Sequence, residues 1–283
     1  MALRATSGLT PPEGEAAGSG AAFATVKTMR TRIDDLGASV TLPARPERIV
    51  SLVPSLTEAL AISTPDRLVG ATQWCTHPPD LDVARVRGTK NPDLAAITDL
   101  QPDLVVANRE ENRELDVRRL RERGIAVWVT EIETVPQALT AMGRLFTDAL
   151  AAERPAWLER ATRLWLPEED DQHPALDAPR VAVAIWREPW MVVGPRTYTQ
   201  DLLHRLGWRG AFADHPDRYP QVDLAAIDRS EIDLVLLPDE PYEFTAADGP
   251  EAFSRTATEL VSGRLLTWYG PAMVEAHARL PRP

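Results

Sequence analysis

Aromatic and charged residues are concentrated in the loops that follow predicted strands. Rigid aromatic side chains suit a flat apolar ligand, because they lose little rotamer entropy when it binds. Charged groups in the same loops could contact polar groups on the ligand's rim, and local loop packing is the alternative for each residue. The candidate ligand-binding residues are Trp74, His77, Lys90, Glu110, Trp186, Arg187, Trp190, Tyr219, Tyr242, Trp268 and Tyr269.

Cys75 and His77 flank a single residue in a turn that a double proline ends. A soft thiolate beside an imidazole could supply an axial ligand to cobalt, iron or zinc. Spacing alone is weak evidence, since a protein metal site needs three or four ligands unless a chelate supplies the rest. These two residues are the candidate metal ligands, and a purely structural turn is the alternative.

An enzyme is the competing function. Ser51, His77 and Asp103 could in principle form a catalytic triad. The sequence contains no GxSxG, GxGxxG or GxxxxGK[ST] motif, so neither a hydrolase nor a nucleotide-binding frame is indicated. We therefore expect a binding protein and not an enzyme. An interaction module that binds no small molecule is a further alternative.

The composition limits the other classes of function. The chain has 283 residues, 44% hydrophobic and 26% charged, which is enough for two cores of ordinary size. Its formal net charge of -11 argues against nucleic-acid binding, which relies on clustered Lys and Arg. The lone Cys75 excludes an internal disulfide. No apolar run is long enough to predict membrane insertion.

The elements that would position these loops come in two copies. Residues 94–110 read LAAITDLQPDLVVANRE and residues 224–240 read LAAIDRSEIDLVLLPDE, so eight of 17 positions agree at an offset of 130 residues. Each copy predicts a short helix, a turn, a buried strand and a polar exit. Alternating strands and helices predict an α/β fold of two similar lobes with mainly parallel sheets.

We predict a domain organisation of four parts: a disordered tail over 1–28, an N-terminal lobe over 29–152, a connecting helix and linker over 153–172, and a C-terminal lobe over 173–283. The tail is rich in small residues and contains no apolar run typical of a signal-peptide core. We therefore expect a cytoplasmic protein. The alternative is an extracytoplasmic protein whose N-terminus is wrongly assigned, and Met29 is a second candidate start.

Four motifs carry a resemblance to a known family: RIVSLVPSLTEAL at 48–60, the turn WCTHPP at 74–79, PDLVVA at 102–107 and TWYGP at 267–271. Together they resemble the helical-backbone metal receptors, the class III substrate-binding proteins of ABC importers for vitamin B12, haem and siderophores. The resemblance implies two lobes joined by a single stiff helix, with a ligand cleft between them. It is strongest to the vitamin B12-binding proteins, which implies cobalamin or a related corrinoid as the bound ligand, with no catalytic cofactor.

The resemblance also assigns roles to individual positions. Trp74 and Tyr219 match aromatic residues that contact the ligand in vitamin B12-binding relatives. The glutamates with which importer-coupled relatives dock on the permease correspond to Ala95 and Ala225. An alanine methyl group cannot make a charge-assisted hydrogen bond. We therefore expect a monomer that binds its ligand without docking on an ABC permease, and an exported importer component is the alternative.

Overall fold

The computed structural model describes residues 28–167, 174–175 and 177–283. The predicted tail, apart from Thr28, and most of the predicted linker lie outside these residues. The described chain forms two α/β lobes, each built on its own five-stranded sheet. The α/β class and the two-lobed architecture predicted from the sequence are confirmed.

The N-terminal lobe contains a parallel sheet in the order β5-β4-β3-β8-β9. The antiparallel strands β1 and β2 form a hairpin, and Gly37 takes a positive φ of 80° in its turn. The strands are β1 (Met29–Ile33), β2 (Ser39–Pro43), β3 (Ile49–Ser51), β4 (Leu68–Ala71), β5 (Ala84–Arg85), β6 (Arg87–Gly88), β7 (Asn91–Pro92), β8 (Leu104–Asn108) and β9 (Val127–Thr130). The helices are α1 (Pro54–Ser63), α2 (Leu94–Asp99), α3 (Glu114–Glu122) and α4 (Val135–Arg144), which continues as a π-helical turn over Leu145–Ala149.

The C-terminal lobe has the strand order β11-β10-β13-β14, with β12 also beside β10, and only the β10–β11 pair is antiparallel. Helix α5 (Ala156–Trp165) precedes this lobe, at the place of the predicted connecting helix. The strands are β10 (Arg180–Trp186), β11 (Met191–Val192), β12 (Arg209–Gly210), β13 (Leu234–Pro238) and β14 (Ala257–Val261). The helices are α6 (Tyr198–Arg205), α7 (Leu224–Ile227), α8 (Gly263–Thr267) and α9 (Ala272–Arg279).

The internal duplication extends to individual hydrogen bonds. Helix α2 and strand β8 start 130 residues before their counterparts α7 and β13. The amide of Asp103 donates to the carbonyl of Arg48 at 2.7 Å, and the amide of Asp233 donates to the carbonyl of Arg180 at 2.9 Å. In both lobes this hydrogen bond therefore joins the starts of two neighbouring strands. These are β3 and β8 in the N-terminal lobe and β10 and β13 in the C-terminal lobe.

One hydrophobic core joins the two lobes. It includes buried residues of α1, α4 and α5 together with residues of α6, α8 and α9. Trp165 at the end of α5 is 1% exposed and its Nε1 donates to the carbonyl of Met273 in α9 at 2.8 Å. The connecting helix is thus packed into both lobes. No helix of the described chain combines the length and apolar character needed to cross a bilayer.

Candidate functional site

The loops at the carboxyl ends of β8 and β9 face a loop of the C-terminal lobe across one gap. In open parallel sheets ligands bind at these ends of the strands. A cavity of about 270 Å³ lies in the gap. Its lining comes from the loops after β8 and β9 in the N-terminal lobe and from the loop before Pro220 in the C-terminal lobe: Asn108, Arg109, Glu110, Glu131, Ile132, Glu133, Arg218 and Tyr219. The predicted cleft between lobes is therefore present.

Arg218 closes the mouth of this cleft. Its Nη1 donates to Glu133 Oε1 at 2.6 Å and its Nη2 donates to Glu110 Oε2 at 2.8 Å. The hydroxyl of Tyr219 donates to the other oxygen of Glu110. The remaining nitrogen, Arg218 Nε, is buried and finds no hydrogen-bond partner among the described residues. Three polar contacts thus hold the lobes together where a ligand would enter.

The loop that carries Arg218 is fixed on its own lobe. The amide of Gly194 donates to the carbonyl of Arg218 at 2.8 Å. A Cβ at position 194 would lie 2.4 Å from the carbonyl oxygen of Asp217, so only glycine allows this close approach. Arg196 adds a hydrogen bond from Nη2 to the carbonyl of Pro216 at 2.9 Å. Any opening of the cleft therefore has to break the contacts between lobes and leave this loop in place.

Trp74 of the N-terminal lobe and Tyr219 of the C-terminal lobe are predicted aromatic residues that remain open to solvent. The side chain of Trp74 is 59% exposed and lies above Gly88. Tyr219 is 37% exposed. Burial raises the pKa of the Tyr219 hydroxyl, and the neighbouring Glu110 carboxylate raises it further. The hydroxyl is therefore a stable hydrogen-bond donor at physiological pH.

Four predicted residues form a second aromatic cluster within the C-terminal lobe. Trp186 contacts the ring of Tyr242 edge-on at 5.5 Å and remains 43% exposed. The Tyr242 hydroxyl donates to Asp248 Oδ2 at 2.6 Å, and Arg187 also pairs with Asp248. Trp190 lies beneath Arg187 at 5.6 Å and stacks on Phe244. Within this cluster, Trp186 is the aromatic residue with a large free surface.

Trp268 and Tyr269 are not presented to the cleft as expected, because each is only 6% exposed. The turn after α8 packs down on α1, where Gly270 approaches the carbonyl of Ser55. The indole Nε1 of Trp268 donates to Glu240 Oε1 at 2.6 Å. Tyr269 packs edge-on against Tyr198 in the core that the lobes share.

The two candidate metal ligands point to different environments. The Cys75 thiol is fully buried, 3.0 Å from Thr57 Oγ1 and 3.1 Å from Thr72 Oγ1. Burial raises its pKa, so it stays a neutral thiol and is not offered to the cleft. His77 is half-buried and contacts Trp268 of the other lobe edge-on at 5.3 Å. Across the described residues, no group of three or more His, Cys, Asp or Glu could hold a metal ion.

Two further acidic side chains, Glu111 and Glu240, lie near Glu110. Burial raises the pKa of the half-buried Glu111, Lys90 lowers it, and Glu110 and Glu240 raise it further. Burial also raises the pKa of Glu240, against the hydrogen bond from Trp268. The ammonium group of Lys90 contacts the backbone carbonyl of Glu110.

Sequence reasoning missed several cleft residues. Glu131 and Glu133 follow strand β9, so the rule that ligands bind at carboxyl ends of strands could have found them. Arg218 precedes Tyr219 directly, but nothing in the pattern indicates that it spans the lobes.

The catalytic triad considered from the sequence is not assembled. The hydroxyl of Ser51 is buried and donates to the carbonyl of Val53 at 3.3 Å. Asp103 accepts hydrogen bonds from the backbone amides of Glu47 and Arg48. Each of the two polar groups therefore has a local structural role.

The comparisons with known proteins agree with this geometry. No family model matches the chain. The cobalamin-binding protein of Halobacterium salinarum is 27% identical over 271 residues, which cover 88% of this chain and 72% of the relative. The structure of the periplasmic vitamin B12-binding protein of Vibrio cholerae has a TM-score of 0.63 at 18% identity, covering 83% of this chain and 94% of that chain. The periplasmic heme-binding protein BhuT in complex with two hemes has a TM-score of 0.70 at 23% identity, covering 82% and 96%.

The chain has the class III substrate-binding fold. The resemblance predicted from the motifs is thereby confirmed, and the relatives and structural neighbours of this fold are named as binding proteins and not as enzymes. The predicted cytoplasmic location is contradicted, because the solved neighbours with the same fold are periplasmic proteins.

Proposed function

We propose that this chain is an extracytoplasmic substrate-binding protein that holds a metal chelate of the tetrapyrrole type between its lobes. The observation that carries the proposal is the cavity between the two lobes, which Tyr219 of the C-terminal lobe lines, together with the exposed Trp74 after strand β4 of the N-terminal lobe. Cobalamin or a related corrinoid is the first candidate ligand, since the Halobacterium salinarum relative is named for it. Haem is the second, from the heme-bound neighbour.

In this proposal the exposed aromatic residues form the walls of the site. Trp74, Trp186 and Tyr219 would contact the faces and edges of the macrocycle, where aromatic surface contributes affinity at low entropic cost. Lys90 and Glu110 would contact polar groups on its rim. His77 is the imidazole placed between the lobes, and we keep it as the candidate for contact with the chelated metal.

The ligand has to open the cleft. A cavity of about 270 Å³ is too small for a tetrapyrrole, since pockets that bind drug-sized ligands span roughly 300–1,000 Å³. The contacts of Arg218 and Tyr219 with Glu110 and Glu133 are those that must separate. The continuous core behind the cleft restrains this motion, so we expect an opening of a few ångströms, as hinge and shear motions allow.

An ABC permease is the partner that this proposal implies. The comparisons favour a component of an ABC importer over a binding protein that works without a permease, because the solved neighbours are periplasmic binding proteins. Ala95 and Ala225 lie exposed in the first turns of α2 and α7 and carry no carboxylate. We propose that the chain acts as a monomer, and that docking, where it occurs, uses other groups on these faces.

A thermal-shift screen with cyanocobalamin, haemin and a ferric siderophore tests the proposed function. A ligand that binds the folded state stabilises it by about 2.7 kcal/mol at 100 times its Kd, so one of the three should raise the melting temperature by several degrees without turnover. Trp74→Ala should weaken binding of that ligand about tenfold.

Trp157→Ala is the matched control. This tryptophan lies in α5, where its Nε1 donates to Ser63 Oγ at 3.0 Å. The variant should lower the melting temperature and keep the wild-type affinity. No shift with any of the three chelates would contradict the proposed function. Unchanged affinity in Trp74→Ala would contradict the position of the site.

A further inference from the structure

We infer that the mouth of the cleft selects chelates whose rim carries neutral amide groups over chelates whose rim carries carboxylates. Glu110, Glu133 and Arg218 are the residues that would make this selection. The inference rests on the proposed function and names the chemical class of ligand that the same site accepts.

The charges that line the cavity are already paired with one another. Arg218 pairs with Glu110 and Glu133 across the gap at 2.8 and 2.6 Å. Arg109 pairs with Glu131 on the N-terminal lobe. The lining therefore has three carboxylates and two guanidinium groups. Each guanidinium group of the lining already has a carboxylate partner, and the neighbouring Lys90 donates to the backbone carbonyl of Glu110.

Two further carboxyl groups, those of Glu111 and Glu240, lie near Glu110 and near each other. Neither forms an ion pair within 4.0 Å in the part of the chain that the structure describes. The donor that Glu240 has is the neutral indole of Trp268. A second carboxylate brought close to these groups would be repelled by them.

Opening the cleft leaves groups of both signs without partners. Glu110 and Glu133 then need hydrogen-bond donors, and Arg218 needs acceptors. A primary amide supplies two N–H donors and a carbonyl acceptor, whereas a carboxylate only accepts. A carboxylate rim could satisfy Arg218, but it would leave Glu110 and Glu133 facing further negative charge with no donor, which is costly for desolvated groups.

The preference for amides over carboxylates on the rim distinguishes between the two candidate ligands. The corrin ring of cobalamin is rimmed by primary amides, whereas haem carries two propionate carboxylates. The amides of cobalamin can replace both sides of the hydrogen bonds that Arg218 makes to Glu110 and Glu133 in the closed cleft. The carboxylates of haem can replace only the acceptors for Arg218.

The sharpest probe is a pair of ligands that differ by one rim group: cyanocobalamin and its monocarboxylic acid, in which one peripheral amide is a carboxylate. Dissociation constants for both are measured at neutral pH by quenching of tryptophan fluorescence. For the wild-type protein we expect the acid to bind about tenfold more weakly, as one uncompensated charge contact would give.

Substitutions at the mouth should change the ratio of the two dissociation constants, acid over cyanocobalamin, in opposite directions. Glu133→Gln and Glu110→Gln each remove a carboxylate and offer a donor, so the ratio should fall to about threefold or less. Arg218→Gln removes the cation that a carboxylate could use, so the ratio should increase. Glu122→Gln, an exposed residue of α3 that pairs with Arg118, makes the same charge change far from the cleft and should leave the ratio unchanged.

Four results would overturn the inference. Equal wild-type affinity for the two probes, or an unchanged ratio in both glutamine variants of the mouth, would refute amide selection and leave the proposed function intact. Failure of the wild-type protein to bind either probe while binding haemin would refute amide selection and favour haem. Failure to bind any of the three would overturn the inference and the proposed function together.

Discussion

Trp74 and Trp190 both follow strand ends, yet their surroundings assign them different roles. Trp190 stacks on Phe244 at 5.9 Å and contacts Phe253 edge-on at 5.4 Å. Trp74 is 59% exposed. Trp190→Ala should therefore lower the free energy of unfolding by roughly 3 kcal/mol, because it leaves a cavity among packed rings. Trp74→Ala should change it by less than about 0.5 kcal/mol.

Urea denaturation of the two variants measures this difference. Wild-type and Trp74→Ala proteins should unfold at nearly the same urea concentration, and Trp190→Ala should unfold at a clearly lower one. If Trp74→Ala proved as destabilising as Trp190→Ala, then Trp74 would be a packing residue and not a ligand contact.

The sequence predicts which segments carry the aromatic residues, but it does not predict how deeply each side chain is buried. Trp74 lies in the loop after β4, Trp186 is the last residue of β10, and Tyr219 lies in the loop between β12 and α7. The spacing from predicted strands could not show that Trp268 and Tyr269 are buried. Their depth depends on contact of the following turn with α1, which is some 200 residues away along the chain. Cys75 was misjudged for a similar reason, since its thiol turns inward to Thr57 and Thr72.

Helices α1 and α8 are tied by a buried ion pair between the lobes. Glu58 in α1 has a side chain only 4% exposed and accepts from Arg264 of α8 through both Nε and Nη2. Glu58→Gln should lower the free energy of unfolding by about 3 kcal/mol, because it leaves the Arg264 charge partly unpaired in a desolvated position.

Glu275→Gln is the control for this prediction. Glu275 also pairs with Arg264, at 2.9 Å, but its side chain is 39% exposed. Its loss should cost no more than about 1 kcal/mol, as is usual for an ion pair that solvent reaches. Equal effects of the two substitutions in chemical denaturation would show that the pair between α1 and α8 does not hold the lobes together.

The repeated elements could be predicted from the sequence and the two-residue strands could not. The repeated segments at 94–110 and 224–240 predicted the buried strands β8 and β13 and the short helices α2 and α7 that precede them. The two-residue strands β5, β6, β7, β11 and β12 exist only because a neighbouring strand pairs with them. No local pattern around Glu58 indicates its partner, because Arg264 lies in the other lobe.

The whole molecule is a duplicated fold with a single continuous core behind one cleft. The repeat at an offset of 130 residues predicted the paired lobes, and the structure repeats them down to equivalent hydrogen bonds. A large rotation of one lobe would expose apolar surface between α4, α5 and α6, at about 25 cal/mol per Å². What no local pattern could predict is that the cleft closes on itself through Arg218, because that contact depends on how two distant loops meet.

The position of cobalt in crystals of the chain grown with cyanocobalamin tests the central claim most directly. Anomalous scattering locates the metal without reference to any assumed ligand pose. We predict one cobalt peak between the lobes, near Trp74 and Tyr219, with Arg218 released from Glu110 and Glu133. A cobalt peak outside the gap, or an unaltered ion pair at Arg218 with the chelate bound elsewhere, would contradict the account.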